Sequence, residues 1–213
     1  MRYLDPEQIA ADKLEASKWA YDLLKGDFIV LDLETTGFGK AEAVEVALIN
    51  KVGRVLLSTL VKPTIPIPPR VTELHGITDA MVEDAPSFPE ISPALNRWTD
   101  KAQVIIYNSP FDTGILAHCS SFHGLPMVTP SYIHCAMRQY AKFMGQWDGS
   151  KGSYKWHKLT GGDHTALGDC KATLKLIREM AEGYRVAIEV RAEEEADWGE
   201  RVSLGIPLAD RIK

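Results

Sequence analysis

Cysteine, long apolar runs and excess positive charge are all scarce in this chain of 213 residues. Its three cysteines, Cys119, Cys135 and Cys170, are widely spaced and form no CxxC pair. That pattern argues against a disulfide framework or a zinc site and favours reduced, buried thiols. No run of about eighteen apolar residues occurs, and charges interrupt the stretch where a signal peptide would need apolar residues. We therefore expect a cytoplasmic protein with no membrane partner.

The net charge of −5 argues against a polyanionic partner, because phosphate binding usually leaves a basic footprint. That objection weakens where carboxylates hold divalent cations, since the cations neutralise them. The arrangement of the charges must therefore decide.

The composition is typical of a globular protein, with 45% hydrophobic and 25% charged residues. Asp5 and Pro6 form a helix start and Gly26 a helix stop, so residues 6–25 are predicted to be a helix. We divide the chain into an N-terminal helical extension (1–26), a main domain (27–182) and an acidic helical C-terminal extension or tail (183–213).

The main domain shows the pattern of an α/β fold with a mixed β-sheet flanked by helices on both faces. Short apolar runs predict buried strands, and the second and third strands should form a hairpin. Helical patterns separate or follow these strands. The predicted strands cover 28–31, 44–50, 55–61 and 104–107, and the predicted helices cover 78–84, 87–98, 111–123 and 164–182.

Acidic residues follow the first buried strand, in the sequence Asp32-Leu33-Glu34. Residues two apart on a strand point to the same face, so both carboxylates can reach one site. Oxygen ligands of this kind suit Mg²⁺ or Mn²⁺. A solvated strand end is the alternative interpretation.

Two further segments carry candidate site residues. Asn108-Ser109-Pro110-Phe111-Asp112 follows a second buried strand, and Asp112 could supply a third carboxylate there. An aspartate stabilising a helix start is the alternative. His164 and Asp169 converge only if the histidine lies just before a helix and the aspartate one turn inside it. A structural histidine is the alternative in that segment.

In this order, the three segments resemble the three motifs of the DEDDh, or DnaQ-like, 3′-to-5′ exonucleases. This family includes proofreading subunits of DNA polymerases, repair exonucleases and exoribonucleases. A fourth shared feature is His75-Gly76-Ile77-Thr78, and the resemblance spans residues 28–182.

The resemblance implies a ribonuclease H-like fold and an exonuclease domain over residues 27–182. It implies a site in which two divalent ions, Mg²⁺ or Mn²⁺, are held by Asp32, Glu34, Asp112 and Asp169. His164 would be the general base that accepts a proton from the attacking water. The terminal nucleotides would contact Thr35, Thr36, Gly37, Phe38, His75, Asn108 and Phe111. The second motif departs from the usual His-Asn-Ala, since this chain has Tyr107-Asn108-Ser109.

The leading hypothesis is an exonuclease that removes nucleotides from the 3′ end of DNA, with single-stranded DNA as substrate, in proofreading, repair or end trimming. One rival is an exoribonuclease of the same family. Another is an inactive scaffolding subunit, bound to a polymerase through the N-terminal helix or the C-terminal tail. The intact set of acids and histidine counts against this second rival.

A glycine-rich loop at residues 144–163 carries lysines and aromatic residues before the third motif. Lys151, Tyr154, Trp156 and Lys158 could hold single-stranded substrate by stacking and charge. A solvated loop with its aromatic rings packed beneath it is the alternative.

Overall fold

The computed structural model describes residues 3–127, 130 and 132–203, with side chains in its last helix described as far as residue 193. Within these residues the chain forms seven helices and seven strands. The helices are α1 (Pro6–Lys25), α2 (Pro69–His75), α3 (Asp79–Val82), α4 (Phe88–Thr99), α5 (Ser109–Phe122), α6 (Ala136–Met144) and α7 (Ala166–Ser203). The strands are β1 (Ile29–Thr35), β2 (Ala43–Asn50), β3 (Val55–Leu60), β4 (Gln103–Ile106), β5 (Tyr132–Cys135), β6 (Trp147–Asp148) and β7 (Ser153–Tyr154).

Five strands form one mixed sheet in the order β3-β2-β1-β4-β5. The β1–β2 and β2–β3 pairs are antiparallel, whereas β4 pairs parallel with both β1 and β5. Because β1 and β4 are parallel neighbours, their carboxyl ends lie at the same edge of the sheet. The predicted mixed sheet with helices on both faces is confirmed.

The strand β1 divides its residues between two hydrophobic cores. Val30 belongs to the core that includes α1 and α7 residues, and Leu31 belongs to the core that includes α4 and α5 residues. Side chains alternate along a strand, so Asp32 and Glu34 follow Val30 onto the face that α7 covers.

The N-terminal helix is part of this packing. Asp5 caps α1 by accepting a hydrogen bond from the Glu7 N–H at 3.0 Å, which confirms the predicted helix start. Ala16 and Ala20 are completely buried in the same core as α7. The extension therefore covers one face of the sheet.

The structure corrects several predicted boundaries. The first strand continues to Thr35 instead of ending at Asp32, and α7 continues through Gly183. Short elements were missed at α2, β5 and α6, and the strands β6 and β7 lie within the predicted loop at residues 144–163. Residues 204–213, the end of the predicted tail, lie outside the described residues. No helix among the described residues is long and apolar enough to cross a membrane.

Candidate active site

The first two acids lie on β1. Asp32 is partly buried and Glu34 is only 8% exposed, on the face of the sheet that α7 covers. The pairing of β1 with β2 shifts register directly after Glu34, so the ladder becomes irregular where the site begins. Such irregularities are common beside active sites, where they redirect side chains.

The third acid, Asp112, lies in the first turn of α5, and its residue is only 3% exposed. Asn108 lies at the start of α5, just after β4, and Asp112 follows in the first turn of the helix. The strand β4 is the parallel neighbour of β1. Burial raises the pKa of Asp112, and the nearby backbone N–H of Leu33 is one of the groups that lower it. The start of α5 therefore lies close to β1, between the two acids of that strand.

The third motif has the geometry that its spacing requires. His164 lies just before α7 with a left-handed φ of 59°, and Asp169 lies in the first turn of the helix. Oδ1 of Asp169 accepts hydrogen bonds from the backbone N–H groups of Asp163 at 3.1 Å and His164 at 3.3 Å. Ligand atoms of Glu34, His164 and Asp169 all lie within 4.8 Å of one another.

The site holds four acidic side chains close together. Burial raises the pKa of Asp32 well above its ordinary value, and the carboxylates of Asp112 and Asp169 raise it further. Burial, followed by the charge of Asp169, raises the pKa of Glu34 to about 8. Burial also raises the pKa values of Asp112 and Asp169, although backbone hydrogen bonds oppose it. All four acids therefore act on one another.

These groups are suited to a divalent cation. None of the ion pairs formed among the described residues includes any of the four carboxylates. Four crowded carboxylates with one histidine beside them are unfavourable when ionised, unless a cation lies among them. Their hard oxygen donors match the ligand preference of Mg²⁺ and Mn²⁺.

A fifth acid, Glu45, was not identified as a site residue from the sequence. It lies opposite Glu34 across the β1–β2 pair, and its Oε2 accepts a hydrogen bond from the Ala166 N–H at 2.8 Å. Ala166 is the first residue of α7, so Glu45 supplies a partner for one of the N–H groups that a helix start leaves unsatisfied. Only the register of the sheet brings these residues together.

An apolar cleft of about 270 Å³ adjoins the acids, with Glu34 in its wall. Phe38 is 80% exposed, and its ring lies edge-on to that of Phe111 with 5.7 Å between centroids. The cleft is therefore open to solvent beside two aromatic rings. Its lining residues are Leu33, Glu34, Thr35, Gly37, Phe38, Val71, Leu74, His75, Asn108 and Phe111.

Six of the seven residues proposed to contact substrate line this cleft. The exception is Thr36, which is buried and whose hydroxyl accepts a hydrogen bond from the Glu42 N–H at 3.0 Å. His75 lines the cleft, but both of its ring nitrogens face backbone groups, the carbonyl of Thr35 and the N–H of Ile77. Sequence reasoning missed Leu33, Val71 and Leu74, which are ordinary apolar residues in the sequence.

The five-stranded mixed sheet flanked by helices, with acidic residues near the ends of β1 and β4, is an α/β fold of the ribonuclease H-like kind. Residues 29–177 match the sequence family RNase_T, described as "Exonuclease". The chain belongs to this exonuclease family, and the resemblance to its DEDDh, DnaQ-like members is confirmed.

Two relatives illustrate the similarity. An uncharacterized exonuclease, CP81, of Escherichia phage 186 is 40% identical over 79% of this chain and 93% of its own length. A DNA polymerase III subunit epsilon-like protein of Rhodobacter capsulatus is 32% identical over 68% of this chain, although the match spans only 22% of that protein.

Solved structures agree on the fold. Exonuclease X, in complex with 5′ overhanging duplex DNA, has a TM-score of 0.52 and 24% identity over 73% of this chain and 92% of its own. The nuclease domain of 3′hExo, a DEDDh family member bound to rAMP, has a TM-score of 0.54 and 20% identity over 74% of this chain and 92% of its own.

Proposed function

We propose that this protein is a 3′-to-5′ DNA exonuclease that releases 5′-mononucleotides, acting in proofreading, repair or end trimming. One observation carries the proposal: the carboxylates of β1, α5 and α7 converge with His164 beside a small apolar cleft. The acids and the histidine provide hydrolytic chemistry, and the cleft provides a place for the end of a strand.

Asp32, Glu34, Asp112 and Asp169 would hold the metal ions that the family implies, two Mg²⁺ or Mn²⁺ ions in this proposal. Bound ions of this kind supply Lewis-acid activation of water and stabilise the leaving 3′ oxygen. The protein contributes the positions of the ligands. Backbone hydrogen bonds fix Asp169 to the loop before α7, and the backbone of β1 lies close to Asp112.

His164 would accept the proton of the attacking water on its imidazole. Its side chain is exposed, and ligand atoms of Glu34 and Asp169 lie within 4.8 Å of a ring nitrogen. The left-handed backbone of His164 is unusual for a residue other than glycine, and such strain is often found at functional sites. A general base of this kind contributes roughly 10² to 10⁴ in rate.

The cleft would receive the 3′-terminal nucleotide. Phe38 and Phe111 offer aromatic surface for a base, and Leu74 adds an exposed apolar side chain. Base stacking on aromatic rings contributes about 1–3 kcal/mol per base. Asn108 lies in the same wall, where its amide can hydrogen-bond the strand.

A digestion time course on 5′-labelled single-stranded DNA and RNA, with Mg²⁺, Mn²⁺ or a chelator, tests this function. We expect a ladder of DNA products that shorten one nucleotide at a time and disappear with the chelator. Asp112→Asn should abolish the ladder, while Asp27→Asn, at the opposite end of the sheet, should not. A ladder from RNA alone would indicate the exoribonuclease, and no cleavage in any condition would indicate a scaffolding subunit.

A further inference from the structure

The hairpin formed by β6 and β7, with the residues that follow it, is a basic and aromatic surface in the segment that precedes the third motif. We propose that this surface binds the single strand upstream of the terminal nucleotide, with Lys151 and Lys155 on its phosphates and Trp156 against a base. This inference rests on the proposed function, because it assumes that a 3′ end occupies the cleft.

The hairpin is bonded to α1. The hydroxyl of Tyr154 donates a hydrogen bond to Oδ2 of Asp12 on α1 at 2.7 Å. The rings of Trp147 and Tyr154 pack edge to face with 5.3 Å between centroids. Two of the three aromatic residues therefore anchor the hairpin, as the alternative of a packed loop predicts.

Trp156 behaves differently, since it is 68% exposed. It lines a cleft of about 490 Å³ together with Lys151, Ser153, Tyr154 and Lys155. An exposed indole leaves apolar surface in contact with water and adds nothing to a core. It does offer a flat face on which a base can stack. Stacking on an aromatic face tolerates any base, which suits an enzyme that advances along a strand.

The charge of the hairpin is opposite to that of the whole chain. Residues 147–158 contain three lysines and one aspartate, in a protein with a net charge of −5. The aspartate, Asp148, also lines the cleft, but its Oδ1 accepts hydrogen bonds from the backbone N–H groups of Ser150 and Lys151 within the turn. Among the described residues, neither Lys151 nor Lys155 is within ion-pair distance of a carboxylate, although the charge of Lys151 helps to lower the pKa of Asp148 after the hydrogen bonds from Ser150. Phosphates fit this arrangement.

The hairpin is connected to the proposed nucleotide cleft. The hydroxyl of Tyr107 donates a hydrogen bond to the carbonyl of His157 at 2.7 Å, directly after Trp156 in the chain. Tyr107 in turn directly precedes Asn108, which lines the nucleotide cleft. The same loop continues to Asp163 and His164. The segment that carries the basic surface is therefore bonded to the residue before Asn108 and leads on to His164, so we place the rest of a bound strand along it.

Two variants test the inference, Trp156→Ala and the double variant Lys151→Ala, Lys155→Ala. Their matched controls are Trp98→Ala and the double variant Lys25→Ala, Lys175→Ala, which lie away from the site. Two substrates are compared: the 4-nitrophenyl ester of thymidine 5′-monophosphate, which has no upstream nucleotides, and an oligothymidylate of about twelve nucleotides, within the site sizes of single-strand binding proteins.

We expect kcat/KM for the oligonucleotide, divided by kcat/KM for the ester, to fall about 5- to 100-fold in Trp156→Ala. In the double lysine variant the dependence of log KM on log salt should weaken by about 1.4, as expected for two lost phosphate contacts on a single strand. The control variants should keep the wild-type ratio and salt dependence.

Binding of the same oligonucleotide with a 5′-fluorescein label, measured by anisotropy with a chelator present, separates the two proposals. If the wild type binds and the hairpin variants bind more weakly, but no variant and no wild-type protein cleaves the oligonucleotide when Mg²⁺ or Mn²⁺ is supplied, the hairpin binds DNA and the proposed activity is wrong. If the hairpin variants match the wild type in both binding and the kcat/KM ratio, the inference is overturned, and an acidic protein becomes the expected partner of this surface.

Discussion

Glu34 shows how the fold places an acid where its charge is unfavourable in the absence of a cation. Its carboxyl would ionise near pH 4.5 in the unfolded chain, whereas burial and Asp169 raise its pKa to about 8 in the folded protein. Between these values the folded protein holds a proton that the unfolded chain has lost. The free energy of unfolding of the metal-free protein should therefore decrease as pH rises through this window.

The variant Glu34→Gln tests this shift, because it removes the titration and keeps a similar shape. Below pH 4.5 the Glu34 carboxyl is neutral in both the folded and the unfolded state, so its ionisation does not lower the free energy of unfolding there. We expect Glu34→Gln to gain stability relative to the metal-free wild type between pH 5 and pH 8.5, measured by thermal unfolding with a chelator. The exposed Glu193→Gln is the control. A wild type and Glu34→Gln that respond identically to pH would contradict the assigned shift.

Gly162 lies so close to Asp169 that there is no room for a larger side chain. A Cβ on Gly162 would lie 2.4 Å from Oδ1 of Asp169, which is closer than real Cβ contacts allow. Gly162→Ala should therefore displace a proposed metal ligand and reduce kcat at least tenfold, measured on the thymidine ester.

Gly114→Ala is the matched control for this substitution. Gly114 lies in α5 with nothing within 4 Å of an added Cβ, so alanine should stabilise the helix by up to about 1 kcal/mol. If Gly162→Ala retains the activity of Gly114→Ala, the close approach of Gly162 to Asp169 is not needed for catalysis.

At the scale of elements, Glu45 links β2 to the start of α7. Its hydrogen bond to the Ala166 N–H holds the helix that carries Asp169, and the bond resembles a side-chain cap. Glu45→Ala should lower kcat on the thymidine ester with little change in KM and cost about 0.5–2 kcal/mol in stability.

Glu45→Gln separates positioning from charge, because an amide oxygen can still accept the same hydrogen bond. We expect Glu45→Gln to retain most of the activity and stability that Glu45→Ala loses. If both variants are equally impaired, the charge of Glu45 is what matters, and the residue belongs with the metal ligands.

The elements that the sequence predicted are those with a strong local signal. The apolar run at β1 and the strand stop at Asn108 identified two site segments, and the spacing from His164 to Asp169 identified the third. Glu45 could not be found in this way, since its role depends on pairing β1 with β2 in one register. The short elements α2 and β5 were also missed, because few of their residues are buried. The helix α6 was missed although its apolar residues recur along one face.

At the scale of the whole molecule, the matched exonuclease region, residues 29–177, excludes α1, yet α1 shares the core of α7. Leu23 is buried in that core, whereas Leu14 on the same helix is 48% exposed. Leu23→Ala should destabilise the protein by about 2–5 kcal/mol, because it leaves a cavity under α7.

Leu14→Ala is the control for α1 and should change stability by less than about 0.5 kcal/mol. Urea unfolding measures both variants. If Leu23→Ala is as stable as Leu14→Ala, α1 is a separable extension rather than part of the folded domain.

The proposed function depends on carboxylates from three separate elements sharing divalent ions. Titration of the metal-free protein with Mn²⁺, followed by electron paramagnetic resonance of the free ion, measures this directly. We predict two bound Mn²⁺ ions per wild-type chain and weakened binding in Asp32→Asn, Glu34→Gln, Asp112→Asn and Asp169→Asn. Wild-type protein that binds no Mn²⁺, or variants that bind it as the wild type does, would contradict a shared metal site.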